Sequence, residues 1–139
     1  MDDPRRHYPL STRRPDEVRT PSGVPLAELT LASLREGRLD AGDVRATAAT
    51  LRLQADVAAV AGQAPLAVNL RRGAELTAVP DEVVLAVYTA LRPHRSTAAE
   101  LDAWATRLAD EFGAEASAAL VREARDAYAA RGLLRREPA

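Results

Sequence analysis

The sequence predicts an all-α protein: a compact bundle of about five main helices preceded by an extended, proline-rich N-terminal arm. Two observations support this division. Five of the nine prolines fall within the first 25 residues, whereas the chain after residue 46 carries apolar residues at helical spacing. Glycines, prolines and capping residues cut this second part into segments of helix length. We therefore predict an arm at 1–46, an α-helical domain at 47–134 and a frayed tail at 135–139, with fraying expected from Leu133 onward.

The arm is predicted to be irregular, because proline fixes its own backbone and biases the preceding residue toward extended geometry. Its first 25 residues are expected to exclude a helix, and Pro21-Ser22-Gly23 predicts a turn. A short helix is expected over Leu31–Arg35, with Thr30 as its N-cap, and a further turn over Ala41–Val44. So long an arm without core-forming segments is unusual in a free-standing domain. Its apolar content exceeds that of a typical disordered tail, which favours wrapping around a partner over disorder.

The first two main helices are predicted at 48–61, capped by Thr47 and stopped by Gly62, and at about 65–78. Their predicted buried stripes are Leu51, Ala55, Ala58 and Ala61 in the first, and Leu66, Leu70 and Ala74 in the second. Gly73 lies inside the second helix and should lower its stability by about 1 kcal/mol relative to Ala. Either close backbone packing or coding drift explains the presence of this glycine. Arg71 and Glu75, four residues apart, are expected to pair on the helix surface, although Arg71-Arg72 equally suits an interface.

Three further helices follow. The third opens at Pro80-Asp81-Glu82 and ends at Arg92-Pro93. The fourth begins at a capping box formed by Thr97 and Glu100, and ends at Gly113. The fifth spans 114–131, with Gly132 after its last residue. Their predicted apolar faces are Val84, Leu85, Tyr88 and Leu91; then Leu101, Trp104, Ala105 and Leu108; then Leu120, Val121, Ala124 and Tyr128.

Composition and motifs offer no self-contained chemistry. Nineteen basic and 20 acidic residues give a net charge of −1, which favours neither nucleic acid nor an anionic membrane. Cysteine is absent, no apolar run reaches the ~18 residues of a membrane span, and no secretory leader is recognisable, so a cytoplasmic location is expected. The two histidines, His7 and His94, lack companion ligands at metal-site spacing, and no phosphate-binding glycine loop occurs. We therefore predict no catalytic, cofactor-binding or metal site on this chain.

Several long motifs resemble one family. Residues 50–55 (TLRLQA), 69–82 (NLRRGAELTAVPDE), 88–97 (YTALRPHRST) and 118–124 (AALVREA) are similar to segments of the small subunit of adenosylcobalamin-dependent diol and glycerol dehydratases. The arm motifs Tyr8-Pro9-Leu10 and residues 20–23 (TPSG) resemble that family too. The resemblance covers nearly the whole chain. The sequence departs from the family pattern at Leu70, Gly73, Thr89 and His94, where Phe, Ala, Asn and another aromatic residue are usual.

The resemblance implies a lyase assembled as a dimer of heterotrimers with large, medium and small subunits. Such an enzyme converts a 1,2-diol or glycerol to an aldehyde and water by a radical mechanism. Its adenosylcobalamin lies between the large and medium subunits, and its small subunit stabilises the large one without touching cofactor or substrate. Association with a protein-shelled microcompartment would then run through other subunits, because only six residues precede His7-Tyr8 here.

Interface contacts are expected at Tyr8, Pro9, Leu10, Arg71, Arg72, Arg92 and Pro93. These are candidates for contact with a partner subunit and not for catalysis. The alternative interpretation is a stand-alone helical adaptor that has diverged from this family. A small independent enzyme is disfavoured, because the sequence brings no convergent set of reactive groups together.

Overall fold

The computed structural model describes residues 3–136, and within that range the secondary structure is helical. The α-helices are α1 (Leu10–Arg13), α2 (Leu31–Arg35), α3 (Ala48–Val60), α4 (Ala64–Leu76), α5 (Asp81–Ala90), α6 (Ala98–Phe112) and α7 (Glu115–Arg131). Short 3-10 turns lie at Pro4–His7, Pro15–Glu17, Leu26–Glu28 and Ala41–Val44, and no β-strand forms among the described residues. The all-α prediction is confirmed.

The chain divides into two compact units, Met1–Ala74 and Glu75–Ala139. The first contains the proline-rich segment together with α3 and most of α4, and the second contains α5, α6 and α7. The separate role expected for residues 1–46 stays a prediction.

Prolines set the boundaries of the short elements in the first unit. Pro9 occupies the N-cap of α1, where its missing N–H removes no intrahelical bond. The helix stops at Arg13, because Arg14 precedes Pro15 and has a φ of −136°. The expectation that the first 25 residues contain no helix is therefore wrong. The single helical turn of α1 forms because Pro9 and Pro15 flank it without interrupting it.

The turn predicted at residues 21–23, the helix α2 and the turn at Ala41–Val44 all form. A turn at residues 20–23 closes a small loop in which Thr20 N–H donates to the Val24 carbonyl at 2.9 Å. Thr30 caps α2, and the side chain of Thr47 caps α3. Asp40 and Asp43 form a reciprocal capping box around the Ala41–Val44 turn. Local side-chain-to-backbone bonds thus order much of a segment whose composition predicts irregular structure.

Small side chains make the core of the first unit. Its buried apolar residues are Leu10, Ala55, Ala58, Ala67 and Ala74. Ala61 and Leu66, both predicted to be buried, are exposed instead. On α4 the buried residues are Ala67 and Ala74, whereas Leu66 faces solvent.

Larger aliphatic side chains fill the core of the second unit. The buried cluster is Val79, Val83, Val87, Ala90, Leu101, Ala105, Leu108, Ala114, Ala118 and Val121. The face predicted for α6 is confirmed by burial of Leu101, Ala105 and Leu108, with Trp104 packed beside them. Gly113 and Gly132 end α6 and α7 with positive φ values of 62° and 66°, as expected of residues that follow a helix C-terminus.

Two predicted faces in the second unit are corrected. Helix α5 buries Val83, Val87 and Ala90, whereas Leu85 and Tyr88 are 67% and 64% exposed. On α7 the predicted buried side is confirmed at Val121 and at Tyr128, which packs against the core, but Leu120 lies exposed and Ser117 and Ala118 are buried. The α5 sequence is apolar nearly all round, so its periodicity left the inward direction open and tertiary packing chose it.

The segment after α7 is held to the second unit further than expected. His94 N–H donates to the Leu133 carbonyl at 2.7 Å, and Arg135 N–H donates to the Ser96 carbonyl at 2.8 Å. The Arg135 guanidinium also donates to Glu100 Oε1 at 2.5 Å. The prediction that the chain frays from Leu133 onward is therefore wrong for residues 133–135. Of the tail expected at 135–139, residues 137–139 lie outside the described part.

Candidate partner-binding surface

An apolar groove of about 780 Å³ lies within the first unit, between the N-terminal segment and helices α3 and α4. Aliphatic side chains form much of its lining, notably Leu10, Val57, Leu66 and Leu70. Gln54 and Gln63 supply amide groups, and Arg5 supplies a positive charge. An apolar lining with a few polar groups suits contact with apolar side chains of another molecule.

Arg5 ties the N-terminal segment to α3. Its Nε donates to the carbonyl of Val60 at 2.9 Å, at the last residue of that helix. The last carbonyls of a helix have no intrahelical donor and carry the negative end of its dipole, so a guanidinium suits this position. The contact holds the Pro4–His7 turn against α3 and so closes one side of the groove.

Tyr8, Pro9 and Leu10, three of the predicted interface residues, line this groove together. Tyr8 is 69% exposed and Pro9 is also exposed, whereas Leu10 is only 7% exposed. Tyr8 and Pro9 therefore present surface to solvent, whereas Leu10 packs against its own chain. The Tyr8–Pro9 peptide bond is cis.

Arg71 and Arg72 are not among the groove-lining residues. Arg71 Nη2 donates to Asp56 Oδ1 at 3.2 Å, which links α4 to α3 across an exposed surface. Arg72 donates to the side-chain oxygen of Asn69 on its own helix. The predicted Arg71–Glu75 surface pair is wrong, because Glu75 accepts hydrogen bonds from α7 instead.

Arg92 and Pro93 lie exposed in the loop after α5, in the second unit. His94 follows with a positive φ of 63°, and Ser96 Oγ donates to the Ala90 carbonyl at 2.9 Å. The Tyr128 hydroxyl donates to the Leu91 carbonyl at 2.5 Å. The loop is thus fixed from two sides. Within residues 3–136 no acceptor meets the guanidinium of Arg92, so its charge faces outward.

Sequence reasoning missed Glu75. Its Oε1 accepts from Ala116 N–H at 2.9 Å, and its Oε2 accepts from Ser117 N–H at 2.9 Å and from Ser117 Oγ at 2.8 Å. Ala114 stands at the N-cap of α7 and has no capping side chain. Glu75 supplies that missing cap from about forty residues away. The only sign of this cap in the sequence is that α7 begins without a Ser, Thr, Asp or Asn at its N-cap.

Hydrogen bonds shift the pKa of two carboxyl groups. The Ser22 hydroxyl and the backbone N–H of Asp40 hold the pKa of Asp43 below its ordinary 3.8. The Thr97 backbone N–H, with Arg135 assisting, lowers the pKa of Glu100. Both groups cap the start of a helical segment, so these shifts reflect structural roles.

Two other kinds of site are absent from the described residues. Across residues 3–136 no group of three or more His, Asp, Glu or Cys residues is placed to hold a metal ion. In the same range no helix has the length and apolarity needed to cross a membrane.

Comparison with known proteins gives one consistent result. The family described as dehydratase small subunit matches residues 4–135. The propanediol dehydratase small subunit of Citrobacter freundii is 45% identical over 128 residues, covering 92% of this chain and 74% of that protein. The propanediol dehydratase small subunit of Salmonella typhimurium (strain LT2) has the same identity and coverage. A match of this extent includes both units of the fold, and the chain therefore belongs to the dehydratase small-subunit family.

Proposed function

We propose that this chain is the non-catalytic small subunit of an adenosylcobalamin-dependent diol or glycerol dehydratase. The observation that carries the proposal is the family match over residues 4–135, with 45% identity to two propanediol dehydratase small subunits. The assembled enzyme would convert a 1,2-diol or glycerol to an aldehyde and water. We assign this chain the role of stabilising the large catalytic subunit within a dimer of heterotrimers that also contains a medium subunit.

Exposed apolar surface supports a role that depends on partners. Large apolar side chains reach solvent in both units, among them Tyr8, Leu31, Val44, Leu85 and Tyr88. Single exposed apolar residues are normal, but grouped ones mark sites of protein contact. Tyr8 and Pro9 at the groove, and Arg92 and Pro93 in the loop after α5, remain our candidates for contact. Arg71 and Arg72 remain weaker candidates, because each already has a partner on its own chain.

We assign the cofactor to the other subunits. This assignment rests on the resemblance to the family, in which the cofactor lies between the large and medium subunits. Adenosylcobalamin would supply the radical that starts the reaction, and the present chain would contribute order to the subunit that holds the substrate. We place the complex in the cytoplasm, where its other subunits could recruit it to a microcompartment.

Reconstitution tests this proposal. The tagged chain would be co-expressed with large and medium dehydratase subunits, and the purified complex assayed for aldehyde formation from propane-1,2-diol and from glycerol with adenosylcobalamin. We expect co-purification and loss of stable activity when this chain is omitted. The matched control omits the chain but keeps equal amounts of the other two subunits. Failure to co-purify, or activity and stability unchanged without the chain, would refute the proposal and favour a stand-alone adaptor.

A further inference from the structure

Helix α5 has apolar residues on opposite sides. Only Asp81, Glu82 and Thr89 of its ten residues are polar. The side that carries Val83, Val87 and Ala90 is buried in the core of the second unit. The opposite side carries Leu85 and Tyr88, which are three residues apart and therefore neighbours on the helix surface. A helix that is apolar all round is normally covered all round, and in the isolated chain one side of α5 is not.

The charge beside this patch favours one kind of partner. Arg92 follows Tyr88 by four residues, and Arg95 follows in the same loop. No described residue of this chain provides an acceptor for either guanidinium. The carboxylates of Asp81 and Glu82 stand at the other end of the helix, about 15 Å from Arg92 at a rise of about 1.5 Å per residue. Asp81 lies four residues before Leu85 and so borders the patch at that end. The patch therefore has a positive border on its C-terminal side.

The backbone around the patch is already fixed. Thr89 Oγ donates to the Leu85 carbonyl at 2.9 Å, within the helix, and the Ser96 and Tyr128 hydroxyls hold the carbonyls of Ala90 and Leu91. A partner would meet Leu85, Tyr88 and Arg92 in an arrangement that needs little ordering. Preorganised aromatic and arginine side chains are the residues that most often dominate the energy of a protein interface.

We infer that Leu85, Tyr88 and Arg92 form a docking face for another subunit of the dehydratase, one that presents apolar side chains bordered by a carboxylate. The carboxylate would meet Arg92, and the apolar side chains would cover Leu85 and Tyr88. This inference rests on the proposed function. It adds a surface that the sequence assigned to the core, and it gives Arg92 a definite role.

Binding measurements on the full chain test the docking face. The dissociation constant for the complex of the other two subunits would be measured for wild type, for the double variant Leu85→Ser/Tyr88→Ser and for Arg92→Glu. We expect each variant to raise the dissociation constant by about tenfold or more. Wild-type binding should weaken as NaCl rises, and Arg92→Glu should reverse the contribution of this contact, because it opposes two carboxylates whose repulsion salt screens.

Matched controls separate docking from general changes in the surface. Leu120→Ser removes an exposed leucine of the same unit, and Arg122→Glu reverses an exposed charge on α7. We expect both to stay within about twofold of wild type. Because Leu85 and Tyr88 are outside the core, circular dichroism and urea midpoints should show that the test variants fold as wild type does.

The outcomes distinguish the two proposals. If wild type does not bind the other subunits, the proposed function fails and this inference fails with it. If wild type binds and the double variant binds equally well, the docking face is overturned while the proposed function stands. If light scattering shows a wild-type homodimer that the double variant abolishes, the face belongs to a second copy of this chain and the inference is also overturned.

Discussion

Replacement of Glu75 should expose how far α7 depends on a cap supplied from outside the helix. The carboxylate accepts three hydrogen bonds of 2.8–2.9 Å, two from backbone N–H groups and one from the buried Ser117 hydroxyl. Ala114 at the N-cap cannot replace any of them. In Glu75→Ala all three donors lose their acceptor at the end of the helix where a negative charge is favourable.

The expected cost follows from these bonds. Each capped helix N–H contributes about 1 kcal/mol, and a buried hydroxyl that loses its acceptor costs about another 1 kcal/mol. With two capped N–H groups and one hydroxyl, Glu75→Ala should lower the free energy of unfolding by about 3 kcal/mol. Glu75→Gln keeps one carbonyl acceptor but loses the charge and the second acceptor. It should therefore cost about half as much.

Urea unfolding of the purified chain, followed by far-ultraviolet circular dichroism, measures this loss. Glu123→Ala is the matched control, because Glu123 is exposed on α7 and makes no hydrogen bond among the described residues. We expect the control to change the free energy of unfolding by less than about 0.5 kcal/mol. A double-mutant cycle with Ser117→Ala should show a favourable coupling between the two side chains. Equal losses for Glu75→Ala and Glu123→Ala would refute the capping role.

Two further predictions concern the first unit. Gly73→Ala should raise the free energy of unfolding by about 1 kcal/mol, because a Cβ there meets only Leu51 Cδ1 at 3.7 Å; a lower urea midpoint would show that the helix needs glycine. Asp43 has a lowered pKa, so its carboxylate stabilises the folded state above the unfolded pKa of about 3.9, and this contribution is lost as pH falls through the lower folded pKa. Wild type should therefore exceed Asp43→Asn in urea midpoint at pH 6, and the difference should shrink by pH 2.5. A difference that does not change with pH would contradict the assignment.

Local patterns predicted the helices well because their signals are local. Thr47, Thr97 and Gly113 mark helix ends through bonds to residues at most a few positions away, so their positions in sequence were sufficient. Proline marked the short elements of the arm too, although it flanked α1 where we expected no helix. Tyr8, Pro9 and Leu10 are candidate interface residues suggested by the family resemblance, and the groove that they line together could not be seen from spacing.

The helical class, most helix boundaries and the family follow from the amino-acid sequence alone, because they depend on periodicity, capping residues and long ungapped motifs. Tertiary structure decided which side of each helix faces inward. In α5 both sides are apolar, so periodicity could not distinguish burial of Val83 and Val87 from burial of Leu85 and Tyr88. Helix packing also sets the hydrogen-bond partners of Glu75. The rule that residues four apart on one helix pair with each other had assigned Glu75 to Arg71. A contact between distant positions depends on how helices pack, and neither spacing along one helix nor the identity of one residue carries that information.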